Sequence, residues 1–181
     1  MRTLETERLV LKAYSIEDAE GLYNYAKNPN VGPHAGWKPH ESVEESLEII
    51  ESLFLPAEAW AIRLKGDSRI IGTIALEEDR HRDDMSKEIG YSLAEDAWGK
   101  GYMTEACGEV LRFAFDELCL NLVGICTGPQ NKRSQSVIRK CGFVYEGRLR
   151  KAYHTYTGIY RDSLCYSILK EEWRELTRRK G

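Results

Sequence analysis

At roughly 150 residues per domain, the 181 residues are the length of one domain, and 42% hydrophobic with 10% aromatic residues is the make-up of a chain that folds. The 26 Lys plus Arg against 29 Asp plus Glu leave a formal charge of −3, which excludes a generally basic nucleic-acid binder. Residues 1–8 lack the apolar core of a signal peptide, no apolar run nears the about 18 residues of a membrane span, and the five cysteines are scattered without a CxxC, so a cytoplasmic chain with no membrane partner, disulfide framework or zinc site is expected.

Residues 8–13 read as an opening strand. Ser15-Ile16-Glu17-Asp18 is a capping box, followed by Ile16, Ala19, Leu22, Tyr23 and Ala26 at helical spacing. A loop over 28–40 carries Pro29, Pro33, Pro39 and the apolar Trp37. Ser42-Val43-Glu44-Glu45 is a second capping box, and Val43, Leu47, Ile50 and Phe54 line one face of its helix. Three antiparallel strands follow, at 59–64, 69–76 and 88–93. Lys65-Gly66-Asp67 turns between the first two, and the charged stretch 77–87 reads as an exposed hairpin between the second pair. A long helix over 103–118 has the stripe Met103, Ala106, Cys107, Val110, Ala114 and Leu118. Residues 122–127 form a strand, and 133–141 a short helix that Gly142 closes in a left-handed cap. Strands at 143–152 and 160–169 precede a last helix ending in Arg178-Arg179-Lys180. The order β-α-α-β-β-β-α-β-α-β-β-α predicts one α/β or α+β domain with helices on both faces of its sheet.

The chemistry concentrates where the strand Glu88-Ile89-Gly90-Tyr91-Ser92-Leu93 runs through Trp98-Gly99-Lys100-Gly101-Tyr102-Met103-Thr104 into the long helix. Glycines let the backbone turn tightly and approach a ligand, and a helix start offers unpaired N–H groups and partial positive charge. Phosphate or pyrophosphate is the expected guest. A P-loop is ruled out because Ala94 stands at the first glycine and Gly101 follows Lys100; a dinucleotide fingerprint is ruled out by Thr104 at the third glycine.

A second segment, Gly128-Pro129-Gln130-Asn131-Lys132-Arg133-Ser134, leads into a helix that exits as Lys140-Cys141-Gly142-Phe143. Together with residues 98–106 it resembles the acetyl-CoA signature of the GNAT acyltransferases, whose phosphate turn has the pattern Gln/Arg-x-x-Gly-x-Gly/Ala. Gly101 fits that pattern; Trp98 and Met103 depart from it in the manner of the RimJ/RimL ribosomal-protein N-acetyltransferase branch. Thr6-Glu7-Arg8-Leu9, Trp37-Lys38-Pro39, Gly72-Thr73-Ile74 and Glu88-Ile89-Gly90-Tyr91 are similar to the same branch. The resemblance covers nearly the whole chain and implies a GNAT fold, with a mixed central sheet of about seven strands.

The resemblance further implies transfer of an acetyl group from acetyl-CoA, as co-substrate, to an amine in a ternary complex. Gly99, Lys100, Gly101, Met103, Thr104, Trp98 and Asn131 would bind the cofactor, and an amide near Ser92 or Leu93 would face the thioester oxygen. Glu88 is the candidate base or amine-orienting group. The helix after Asn131 has Ile138 where many relatives have a tyrosine acid; members of the resembled branch carry a serine instead, which Ser134 matches, and the resemblance makes it the candidate hydrogen-bond donor to the leaving thiolate. Trp37, Tyr91 and His154 are candidates for acceptor binding. His34, His40 and His81 show no metal spacing. A protein amino terminus is the expected acceptor, with a polyamine or aminoglycoside-like amine as the alternative. A CoA-binding domain without turnover is the non-enzyme alternative, and a homodimer is the family-level expectation.

Overall fold

The structure, a computed structural model, describes residues 2–79, 82 and 85–178, so His81, Arg179 and Lys180 lie outside the described residues. Strands β1 (Leu4–Glu5) and β2 (Leu9–Ala13) lead into helices α1 (Ala19–Ala26), α2 (Gly32–Ala35) and α3 (Val43–Ile49). Then come β3 (Glu58–Leu64), β4 (Ile70–Glu78), β5 (Ser86–Leu93), α4 (Tyr102–Arg112), β6 (Leu122–Thr127) and α5 (Lys132–Lys140). The chain ends in β7 (Val144–His154), β8 (Tyr160–Leu169) and α6 (Lys170–Arg178).

These strands form one 8-stranded sheet in the order β1-β2-β3-β4-β5-β6-β8-β7. Every pairing is antiparallel except β5 with β6. The strand beyond the expected set is β1, whose two residues pair with Val10 and Leu11; so short a segment has no alternation to betray it. The expected loop over 28–40 holds the single turn of α2, which opens on Gly32-Pro33 and is closed by Gly36 in left-handed conformation. Both long helices finish in a wider π turn, α3 over Ile50–Phe54 and α4 over Phe113–Glu117.

Two helical layers cover the sheet. On one face, Tyr25 of α1 meets Thr73 of β4 and Ser92 of β5. On the other, Trp60 of β3 meets Phe113 edge-on at 5.5 Å, and Phe115 meets Trp173 of α6 at 6.1 Å. The core between sheet and helices is apolar, with Trp60, Phe115, Ile62, Ile74 and Ile89 buried. Burying a side chain of this size removes about 1.5–3 kcal/mol of solvation cost, which is why the helical stripe of α4 (Met103, Ala106, Cys107, Val110, Leu111) decides how that helix lies.

Candidate active site

The site forms where one strand pair stops pairing. β5 and β6 share a parallel ladder over Ser86↔Leu122, Lys87↔Val123 and Glu88↔Gly124, and then part. Beyond that point β5 stays bonded to β4 as far as Leu93, and β6 to β8 as far as Thr127. A cleft thus opens between two strands that are each held from their outer side.

Register decides which backbone groups face the cleft. The Ala94 amide donates to the Ile71 carbonyl at 2.8 Å, so these two form a hydrogen-bonded pair. Antiparallel alternation then turns the backbone of Ser92 and Gly90 toward β4, and that of Leu93 and Tyr91 into the cleft. Of the two amides expected to face the thioester, the Leu93 amide has the required direction; the Ser92 amide points the other way.

Past β5 the chain makes one short turn over Glu95–Ala97, extends at Trp98, and passes through Gly99 (φ 76) and Gly101 (φ 83) into α4. Both are left-handed, a conformation that costs a residue with a side chain about 1–2 kcal/mol. A Cβ at Gly99 would meet nothing within 4 Å, so the backbone conformation selects glycine and the surface above it stays bare. The first hydrogen bond of α4 runs from the Glu105 amide to the Gly101 carbonyl at 3.0 Å. Among the described residues, no backbone carbonyl accepts from the amides of residues 99–104. Six successive amides at a helix start, including those of Lys100, Met103 and Thr104, are donors of the kind that can hold an anion.

Three side chains brace this turn. The Trp98 indole N–H donates to the Leu93 carbonyl at 2.8 Å, and its ring lies 4.2 Å from the Arg133 guanidinium of α5. Arg8 donates to the Lys100 carbonyl at 3.1 Å and pairs with Glu105 at 2.6 Å. Glu105 also accepts from the Thr6 hydroxyl and the Arg8 amide. Burial pushes the Glu105 carboxyl up, but these hydrogen bonds and the Arg8 charge outweigh it and hold the group below its ordinary value. Thr6 and Arg8 stand out in the sequence as a branch-like motif; their partner Glu105 lies about a hundred positions away and carries no local signal.

The candidate catalytic residues stand on opposite sides of β5. Glu88, Gly90 and Ser92 alternate onto the face of the sheet that α1 covers, and Ser92 is bonded to Tyr25 of α1 at 3.1 Å. Glu77 pairs across from Glu88 on β4, and its carboxylate lies where a Cβ on Gly90 would come within 2.9 Å. Glu88 also touches the thiol of Cys126, which burial, then Cys165 and then Glu88 push well above its usual range. On the other side Ser134, in the first turn of α5, is buried, and its hydroxyl meets the Tyr91 hydroxyl at 2.9 Å. Burial above all pushes the Tyr91 phenol up, so it stays protonated. Tyr91, expected at the acceptor, thus faces Ser134. Ile138 is fully buried.

Asn131 caps α5 by accepting from the Ser134 amide at 3.1 Å, and its amide nitrogen donates to the His34 carbonyl at 3.3 Å. Trp37 is half-buried and packs on Gly32 and His40. The loop bearing it is fastened by Arg161, which reaches the carbonyls of His34 and Ala35 at 3.4 Å, and by Tyr153 against Gly36. Neither Arg161 nor Tyr153 carries a sequence signal for this role. His154 is not in a loop: β7 extends through it, and it lies exposed against Tyr160 at 4.6 Å. Among the described residues no group of three or more His, Cys, Asp or Glu could hold a metal ion, and no helix is long and apolar enough to cross a membrane.

Residues 8–144 match the family model for the acetyltransferase (GNAT) domain. The uncharacterized N-acetyltransferase p20 of Bacillus licheniformis is 32% identical over 178 residues, covering 96% of this chain and 99% of that protein. The putative ribosomal N-acetyltransferase YdaF of Bacillus subtilis is 37% identical over 107 residues, 59% of this chain and 57% of that protein. The crystal structure of a putative acetyltransferase from T. thermophilus superposes with a TM-score of 0.85 at 26% identity, covering 99% of this chain and 95% of that one. By the match over residues 8–144 and the full-length likeness to p20, the chain belongs to the GNAT acetyltransferase family and is an N-acetyltransferase.

Proposed function

We propose that the protein transfers the acetyl group of acetyl-CoA directly to an amine held in the same complex, with a protein amino terminus as acceptor. The observation that carries this reading is the continuity of the β5–β6 cleft with the free amides of residues 99–104. The residues fit a diphosphate with an extended arm: bare glycines and unspent donors at the turn, and the inward-facing backbone of Tyr91 with the Leu93 amide, which can bond the arm as an added strand would. When bound, acetyl-CoA supplies an acyl group on a thiol that titrates near about 8.5 and leaves readily.

The protein's own part is positioning and proton transfer. The Leu93 amide is aimed into the cleft to meet carbonyl charge as it develops. Glu88 orients the acceptor and takes its proton, a modest task for an α-amine that titrates near about 8. Ser134 donates a hydrogen bond to the departing thiolate, and Tyr91 fixes the Ser134 hydroxyl. Catalysis is thereby divided by β5, with the acceptor on the Glu88 side and the thiol on the Ser134 side.

The RimJ/RimL-like motifs and the ribosomal name of one relative support a protein acceptor. A small polycation is the second reading, favoured by Glu77 opposite Glu88: two like charges across a strand pair are costly, and a cationic amine between them relieves that cost. Release of the CoA thiol with amino-terminal peptides and with polyamines tests both readings. Faster release with peptides supports the first, faster release with polyamines replaces it, and CoA binding without release from any amine overturns both. A cytoplasmic setting follows the cysteine pattern. A homodimer is the assembly we infer from the exposed Val144, Tyr145 and Leu149 on edge strand β7; sedimentation at the monomer mass would remove it.

A further inference from the structure

Cys126 and Cys165 are far apart in the chain and directly opposite one another on β6 and β8. Their sulfur atoms are 2.9 Å apart and both thiols are free. The Lys170 amide donates to the Asn121 carbonyl at 3.0 Å, and counting along the ladder from that bond makes 126 and 165 a non-hydrogen-bonded pair. In such pairs the α-carbons lie about 4.5 Å apart and the side chains are close, inside the roughly 4.4–6.8 Å that a disulfide spans. A closure of about 0.9 Å would bring the sulfurs to bonding distance.

Accessibility separates this pair from the other. Cys107 and Cys141 also meet, but at 1% and 8% exposure they are buried in the core, whereas Cys126 and Cys165 are half-buried and keep a share of solvent contact. Cys126 also has a neighbour that matters for function: the side chain of Glu88 lies beside its thiol.

We infer that Cys126 and Cys165 are an oxidative modification site: a peroxide converts them to a disulfide, and acetyl transfer falls while that bond is in place. One sulfur attacks a peroxide oxygen, breaking the O–O bond and leaving a sulfenic acid and one water. The second sulfur attacks the sulfenic sulfur and the hydroxyl leaves as a second water. Two S–H bonds are lost, one S–S bond forms, and the peroxide is reduced to two waters. The bond removes the thiol that lies beside Glu88 and draws the Cys126 sulfur toward β8. Bond formation stands by itself; its effect on turnover rests on the role proposed for Glu88.

The test treats the reduced full-length chain with hydrogen peroxide, removes the excess with catalase, blocks remaining thiols, maps the peptides by mass spectrometry, and follows acetylated product rather than thiol. The expected result is a cross-linked peptide pair holding Cys126 and Cys165, a rate at least about tenfold lower, and recovery of both on adding dithiothreitol. Cys165→Ser, with Cys165→Ala as a second variant, keeps the untreated rate and shows neither effect. Over-oxidation without this cross-link, or a complete cross-link with an unchanged rate, overturns the proposal. A wild-type rate in Glu88→Gln would remove Glu88 from the mechanism and leave the peptide map to decide the bond on its own.

Discussion

Replacing Gly101 by glutamate would put a side chain on a backbone at φ 83, with its Cβ 3.4 Å from the Arg8 guanidinium. The new carboxylate would occupy anion space and compete with Glu105 for Arg8. We expect CoA affinity, read by calorimetry, to fall by at least about tenfold, each tenfold being about 1.4 kcal/mol. Glu88→Gln keeps the shape and loses the charge; turnover should fall about a hundredfold or more with CoA affinity unchanged. Ser134→Ala leaves Tyr91 only the Ser134 backbone carbonyl, at 3.4 Å. Turnover should fall about tenfold, with little change in KM for the amine, in steady-state assays. At this scale the left-handed glycines of the turn were readable, because backbone freedom is a property of the residue itself. Tyr91 and Trp98 were not: each is an aromatic in a motif, and only folding shows that one faces Ser134 and the other the Leu93 carbonyl.

The start of α4 is held from outside by the segment before β2. Glu105 gathers Thr6 and Arg8, and Arg8 in turn holds the Lys100 carbonyl. Because the folded carboxyl titrates below its ordinary value, its stabilising contribution is complete above about pH 4.3 and is lost as pH falls through the depressed folded value. Thermal unfolding of the wild type and of Glu105→Gln, compared from about pH 6 down to about pH 3, should therefore converge toward the acid end. A constant difference would show that the contact is packing rather than charge. Elements with a strong period or cap were legible, as Ser42 shows by accepting from the Glu45 amide at 3.1 Å. The two-residue β1 and single-turn α2 were hidden, since their pairing and packing are decided by distant residues: β2 for the one, Tyr153 and Arg161 for the other.

Across the whole molecule, the order of elements was legible because helical and alternating patterns succeed one another without interruption. The place where the β5–β6 ladder ends, after Glu88 and Gly124, was not, since no residue in either strand signals it. The parted strands nevertheless keep their outer ladders intact, β5 on β4 and β6 on β8. The opening is therefore built in beforehand, and a guest need not pull the sheet apart to enter. Along β5 this makes neighbouring amides behave in opposite ways toward deuterated solvent: those of Gly90 and Ser92 should trade their hydrogens slowly, those of Tyr91 and Leu93 quickly. Saturating CoA should slow the fast pair alone, turning an alternating record along one strand into a uniform one.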